Sequence, residues 1–211
     1  MTPILYSFRR CPYAIRARLA LHASGQMVEL REVLLRDKAP EFLAASPSAT
    51  VPCLVTDEQV IDESIDVMIW ALSRHDPERW LDMPSVGWDL IAEADGPFKA
   101  ALDRTKYHSR YGSDPEVERG KAMEFLAKLN AHLHGARYLF GDQPSVADIA
   151  ILPFVRQFAF VDKARFDAEA GADLCRWFER FLNSASFGAV MQKYPVWQNG
   201  DPVTHFPELS N

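Results

Sequence analysis

Cysteine is scarce: three residues in 211, Cys11, Cys53 and Cys175, an odd number set far apart. Such spacing excludes a disulfide framework, and no pair has the few-residue separation of a metal-ligating motif. A reducing compartment, the cytoplasm, is the expectation. No uninterrupted apolar stretch approaches 18 residues, so no membrane-spanning helix and no membrane partner are expected. The opening Met1-Thr2-Pro3 runs straight into strand-like sequence, without the basic stretch and apolar segment of a signal peptide. Basic charge is also short, 23 Lys and Arg against 29 Asp and Glu, a formal net charge of −6. This argues against a nucleic-acid partner, because phosphate binding draws on clustered cations. Small anions stay open, since a local field can oppose the net charge.

What is present supports a folded core, with 48% hydrophobic residues. The first third reads as alternating strands and helices. Ile4, Tyr6 and Phe8 alternate along a strand that Leu5 makes apolar on its other face. Pro12 opens a helix where its missing N–H costs nothing. Ile15 and Leu19 form one face, Arg16 and Arg18 project elsewhere, and Gly25 stops the helix. A strand holding Val28, Leu30 and Val33 follows, then a short helix around residues 41–45. Strands 53–55 and 59–61 flank the turn at Asp57-Glu58, and Ser64 caps a helix with Val67, Met68 and Leu72. The order is β-α-β-α-β-β-α. Asp76, Pro77, Asp82, Pro84 and Ser85 read as a linker. Beyond them the pattern is helical. Asp114-Pro115 starts one helix, Ser145 with Asp148 resembles a capping box, and Leu174 to Leu182 marks an amphipathic helix. The expected domains are residues 1–76, a linker 77–86, and an all-helical domain 87–211.

Three short motifs carry chemistry. Arg9-Arg10-Cys11-Pro12-Tyr13 places a thiol between strand and helix. The positive end of the helix dipole and nearby cations stabilise a thiolate, and such cysteines fall from about 8.5 toward roughly 3.5–7.5. The plain alternative is a small buried hydrophobe before an ordinary helix-starting proline. Thr50-Val51-Pro52 enters a short strand; a trans proline at an edge is the default, and a cis bond would turn the Val51 backbone outward for an extended peptide. Asp62-Glu63-Ser64 begins a helix, where backbone N–H groups and the Ser64 hydroxyl suit a carboxylate and Glu63 suits an ammonium group. An ordinary N-cap would look the same.

In this order and spacing, Cys-Pro at 11–12, Val-Pro at 51–52 and Glu-Ser at 63–64 resemble the N-terminal domain of glutathione transferases. A cysteine in the catalytic position is similar to the omega class, dehydroascorbate reductases and larger glutaredoxins. The Ser145–Asp148 box resembles the one that starts a core helix of their helical domain. The resemblance implies the glutathione-transferase fold: an α/β thioredoxin-like domain followed by an all-α helical bundle. It assigns catalysis to Cys11 and glutathione binding to Val51, Pro52 (cis), Glu63 and Ser64. The electrophile site would draw on Tyr13, Phe98, Tyr107, His108 and Tyr111.

The implied activity is glutathione-dependent thiol transfer or reduction through a mixed disulfide. The alternatives are conjugation of glutathione to an electrophile, or a non-enzymatic binding or regulatory role. Glutathione would be the co-substrate, with no metal, an unknown electrophile or disulfide as second substrate, and a homodimer as the assembly. The chain departs from its relatives in three places. Ala14 stands where dithiol glutaredoxins carry a second cysteine. Ser46 to Thr50 lacks a glycine. No cation closely precedes Val51, which leaves Arg36 or Lys38 to supply a basic contact. Cys53 and Cys175 are expected to be inert packing residues, and His22 structural.

Overall fold

The computed structural model describes residues 1–208, which form two compact units, one from residues 1–77 together with the chain from Ser184 on, the other Glu78–Asn183. Local sequence explains the first elements. β1 (Ile4–Ser7) buries three of its four side chains, and β2 (Val28–Glu32) alternates buried with half-buried positions. α1 (Pro12–Ser24) begins on a proline and ends at Gly25, whose φ of 64° is the left-handed conformation glycine accepts without a Cβ penalty. α2 (Pro40–Ala45), β3 (Cys53–Val55), β4 (Val60–Ile61) and α3 (Ser64–Leu72) follow.

The sheet order is β4-β3-β1-β2-β5, with β5 at His205–Phe206. β1 runs parallel to β2 and antiparallel to β3, which aligns Leu5 with both Leu30 and Leu54 at the centre. α1 packs against α3 on one side of the unit. A second cluster of Tyr6, Val33, Phe42, Val51 and Cys53 closes the face toward α2.

The all-helical domain expected over residues 87–211 is corrected at its C-terminal end. α11 (Ala185–Val190) packs on α1, and the chain beyond it returns to β2. Trp197 N–H donates to Glu32 O at 2.9 Å, Leu30 N–H donates to Thr204 O at 2.8 Å, and β5 pairs antiparallel with β2. An open β2 edge would leave a row of unpaired backbone groups, and this segment covers it while burying Phe206. The linker at 77–86 is also corrected. Residues from Glu78 on belong to the helical unit, where Trp80 is buried and its carbonyl accepts from Val146 N–H.

The helical unit contains α4 (Val86–Glu93), a π-helical turn Ala94–Phe98, α5 (Lys99–Lys106), α6 (His108–Tyr111) and α7 (Pro115–His132). α8 (Val146–Ala159), α9 (Lys163–Glu169) and α10 (Ala172–Leu182) complete it. α4, the π turn and α5 run on without a gap, and the π turn carries Gly96-Pro97, where proline lacks the N–H a regular turn would use. Asp114 caps α7 as the sequence suggests, accepting from Glu116 and Val117 N–H. Rings of Phe125, Phe98, Phe158, Phe166 and Phe178 succeed one another at centroid distances of 4.9, 5.8, 6.5 and 5.4 Å.

The Ser145–Asp148 capping box is present and does more than start α8. Fully buried Asp148 accepts from Leu139 N, Ser145 N, Ser145 Oγ and Trp177 Nε1, all at 2.7–2.9 Å. One carboxylate thereby ties the preceding loop, α8 and α10 together. No helix among the described residues is long and apolar enough to cross a membrane.

Candidate active site

The strand-to-helix junction after β1 is a tight turn in which Cys11 N–H donates to Phe8 O at 3.0 Å. Cys11 has extended backbone angles and occupies the N-cap of α1, so its thiol sits at the positive end of that helix. It is half-buried, and the thiol donates to Val51 O at 3.7 Å. The Val51–Pro52 peptide is cis. The loop leading to it is tied in place, with Ser48 N–H donating to Asp62 Oδ2, and Ser48 Oγ lying 2.6 Å from Thr50 Oγ1. Within that loop, Ala49 holds a left-handed φ of 54°.

Glu63, not Ser64, is the N-cap of α3, and its side chain makes no capping hydrogen bond. Ser64 is the first helical residue and is buried; its hydroxyl oxygen accepts from Arg16 Nε at 3.0 Å. This corrects the expectation that the Ser64 side chain caps its own helix. The first backbone N–H groups of α3 consequently have no side-chain cap.

Cys11, Tyr13, Val51, Pro52, Glu63 and Ser64 line one groove of about 510 Å³, together with Leu35, Lys38, Ala49, Thr50 and Asp62. All of these belong to the first unit. Of the two cations considered for a basic contact, Lys38 lines the groove and Arg36 does not. Phe98 is buried in the helical core against Phe125, not exposed like the other residues considered for the electrophile site in that unit. Tyr107, His108 and Tyr111 are exposed residues of the helical unit around α6. Cys53 is fully buried, and burial pushes its thiol up to about 11, so it is neutral at pH 7.

Arg16 and Arg18, which lie off the Ile15–Leu19 face, are both buried, in a helix with ten of its 13 residues buried. Arg18 lies beneath the Cys11 turn, donating NH2 to Arg9 O at 2.8 Å and NH1 to Ser7 Oγ at 2.9 Å. Its NH1 is 3.9 Å from Glu32 Oε2, and Glu32 Oε1 accepts from Arg9 N–H. Burial pulls the Arg18 pKa down to about 10, against the opposing pull of Glu32 and of the nearby Cys11, which leaves it cationic at neutral pH. Arg16 also stacks over the Tyr13 ring at 5.2 Å. The available clue was composition: an arginine on a helix apolar all round must find its partner inside.

A thioredoxin-like sheet with a cysteine at the first helix, a cis-proline strand and a following helical unit together define a two-domain class. Comparison with known families narrows it. Residues 5–79 match the model for the glutathione S-transferase N-terminal domain, and residues 91–180 match that for its C-terminal domain. The chain belongs to the glutathione S-transferase superfamily. Among curated relatives, it is 29% identical over 176 residues to glutathione S-transferase U22 of Arabidopsis thaliana, covering 79% of this chain and 78% of that one. It is 27% identical over 194 residues to the probable glutathione S-transferase parA of Nicotiana tabacum, covering 87% and 86%. Among solved structures, a glutathione transferase family member from Pseudomonas fluorescens shares the fold at a TM-score of 0.78 and 18% identity, covering 90% and 92%. Glutathione transferase Omega 3C from Trametes versicolor does so at 0.76 and 20%, covering 91% and 84%.

Proposed function

We propose that this chain is a glutathione-dependent thiol transferase in which Cys11 is the covalent nucleophile. The observation that carries this reading is that Cys11, a half-buried thiol at the N-cap of α1, lines the same groove as Val51, Pro52, Glu63, Ser64 and Lys38. The Val51 backbone offers an extended peptide a strand-like partner. The uncapped start of α3, with Glu63 beside it, suits a terminus carrying both a carboxylate and an ammonium group. Lys38 offers a cation to a second carboxylate. Glutathione has all three features.

In the reaction, the Cys11 thiolate attacks the glutathionyl sulfur of a mixed disulfide. A Cys11–glutathione disulfide forms and the other thiolate leaves. A second glutathione thiolate then attacks that disulfide, which releases glutathione disulfide and restores Cys11. With Ala14 in the neighbouring position, the cycle stays monothiol. Incubation with glutathione disulfide should add one glutathione, on Cys11 alone, by mass spectrometry. No adduct, together with full reductase activity in Cys11→Ala, refutes the mechanism.

Conjugation to an electrophile is the second reading, favoured by curated relatives that bear the name glutathione S-transferase. There glutathione itself supplies the sulfur nucleophile, and Cys11→Ser keeps or raises activity with a model electrophile. Tyr13, Tyr107, His108 and Tyr111 remain the proposed electrophile-side residues. A cytoplasmic homodimer belongs to the same proposal, and light scattering at micromolar concentration tests the dimer.

A further inference from the structure

Arg16 is a buried cation that donates to a groove-lining residue 48 positions away, Ser64. Keeping a guanidinium inside a domain is costly unless each donor is used, so its placement is a constraint on whatever it touches. It touches two groove-lining residues: Nε–H donates to Ser64 Oγ at 3.0 Å, and its carbon stands over the Tyr13 ring at 5.2 Å.

A serine hydroxyl has one proton and two lone pairs. With a lone pair committed to Arg16, the Ser64 proton turns away from α1, and it is given to no acceptor among the described residues. Ser64 lines the groove and is the first residue of α3, whose start has no side-chain cap.

We propose that Arg16 is a positioning residue for the carboxylate end of the groove: by holding the Ser64 oxygen from behind, it aims the Ser64 O–H at the α-carboxylate of a bound amino-acid terminus. This rests on the glutathione reading above. A hydroxyl that rotates freely is a donor only part of the time, whereas one whose oxygen is already engaged by a cation is polarised and oriented before the ligand arrives. The ligand then loses less freedom on binding, and the α-carboxylate is the group that registers the difference.

The test compares two ligands by calorimetry, so that no step depends on Cys11 chemistry. One is S-methylglutathione. The other is its analogue with 4-aminobutyrate in place of the γ-glutamyl residue, identical except for the α-carboxylate. Arg16→Met should weaken the first about tenfold, the low end for a hydrogen bond to a charged group, and the second less than about twofold. On a Ser64→Ala background, Arg16→Met should add nothing further to the loss of S-methylglutathione. Equal weakening of both ligands, or a full additional loss on the Ser64→Ala background, overturns the proposal and leaves Arg16 a packing residue. Should Arg16→Met fail to fold by circular dichroism, Arg16→Lys retains the charge without the planar fork; a loss confined to the carboxylate ligand supports the proposal and an equal loss overturns it. Wild-type protein that binds neither ligand refutes the glutathione reading itself, and the inference falls with it.

Discussion

Replacing Arg18 by methionine removes the cation beneath the Cys11 turn while keeping much of its volume. Arg18 is fully buried and Glu32 is 8% exposed, with 3.9 Å between them. Arg18 Nε and Glu32 Oε2 make no hydrogen bond, so the pair depends on mutual attraction and on the Arg9 and Ser7 contacts. Breaking a buried pair from one side strands the other charge and costs about 3–5 kcal/mol. For a chain of this size that lowers the melting temperature by roughly 6–20 °C. Thermal and urea unfolding measure it, and the loss should shrink as the pH falls and Glu32, whose carboxyl burial raises, takes up a proton. In Arg18→Met with Glu32→Gln, more than half of the loss should return, because the amide keeps the Arg9 N–H bond without a charge. A cost below about 1 kcal/mol for Arg18→Met, or no recovery in the double variant, refutes the reasoning.

Three further outcomes follow from the same geometry. Asp148→Ala orphans four donors in the helical core and should cost about 4 kcal/mol or more in urea unfolding; a loss near 1 kcal/mol would mean that the donors find other partners. Ala49→Gly relieves the left-handed backbone and should stabilise by about 0.5–1 kcal/mol after the extra freedom of an unfolded glycine is counted; a destabilised variant contradicts this. Burial raises the Glu32 carboxyl above its ordinary range despite Arg9 and Arg18, so the folded state keeps a proton that the unfolded chain gives up near pH ~4.3. The stability tied to that proton is complete below this pH and is lost as pH rises through the folded value; Glu32→Gln should flatten that stretch of the curve, and an unchanged curve counts against it.

Features written within a few consecutive residues were legible in the sequence alone. Cys11-Pro12, Val51-Pro52 and Glu63-Ser64 mark element starts, because proline and capping chemistry act over one turn of chain. The Ser145–Asp148 box and the Asp114 cap are local for the same reason. So is the change from short alternating strands to helical periodicity, which gives the two-domain class.

Only the tertiary structure decided what depends on partners far along the chain. Arg16 and Arg18 have no partner legible in the sequence until Ser64 and Glu32 are brought beside them. Phe98 reads as a groove residue until Phe125 and Phe158 enclose it. The two-residue strand at 205–206 has no periodicity to detect, and exists because β2 offers an open edge. The Ser64 hydroxyl reads as a cap until Arg16 takes its oxygen. Local backbone preference is written in neighbouring residues, whereas the burial of a charge or a ring depends on which distant segments fold against it.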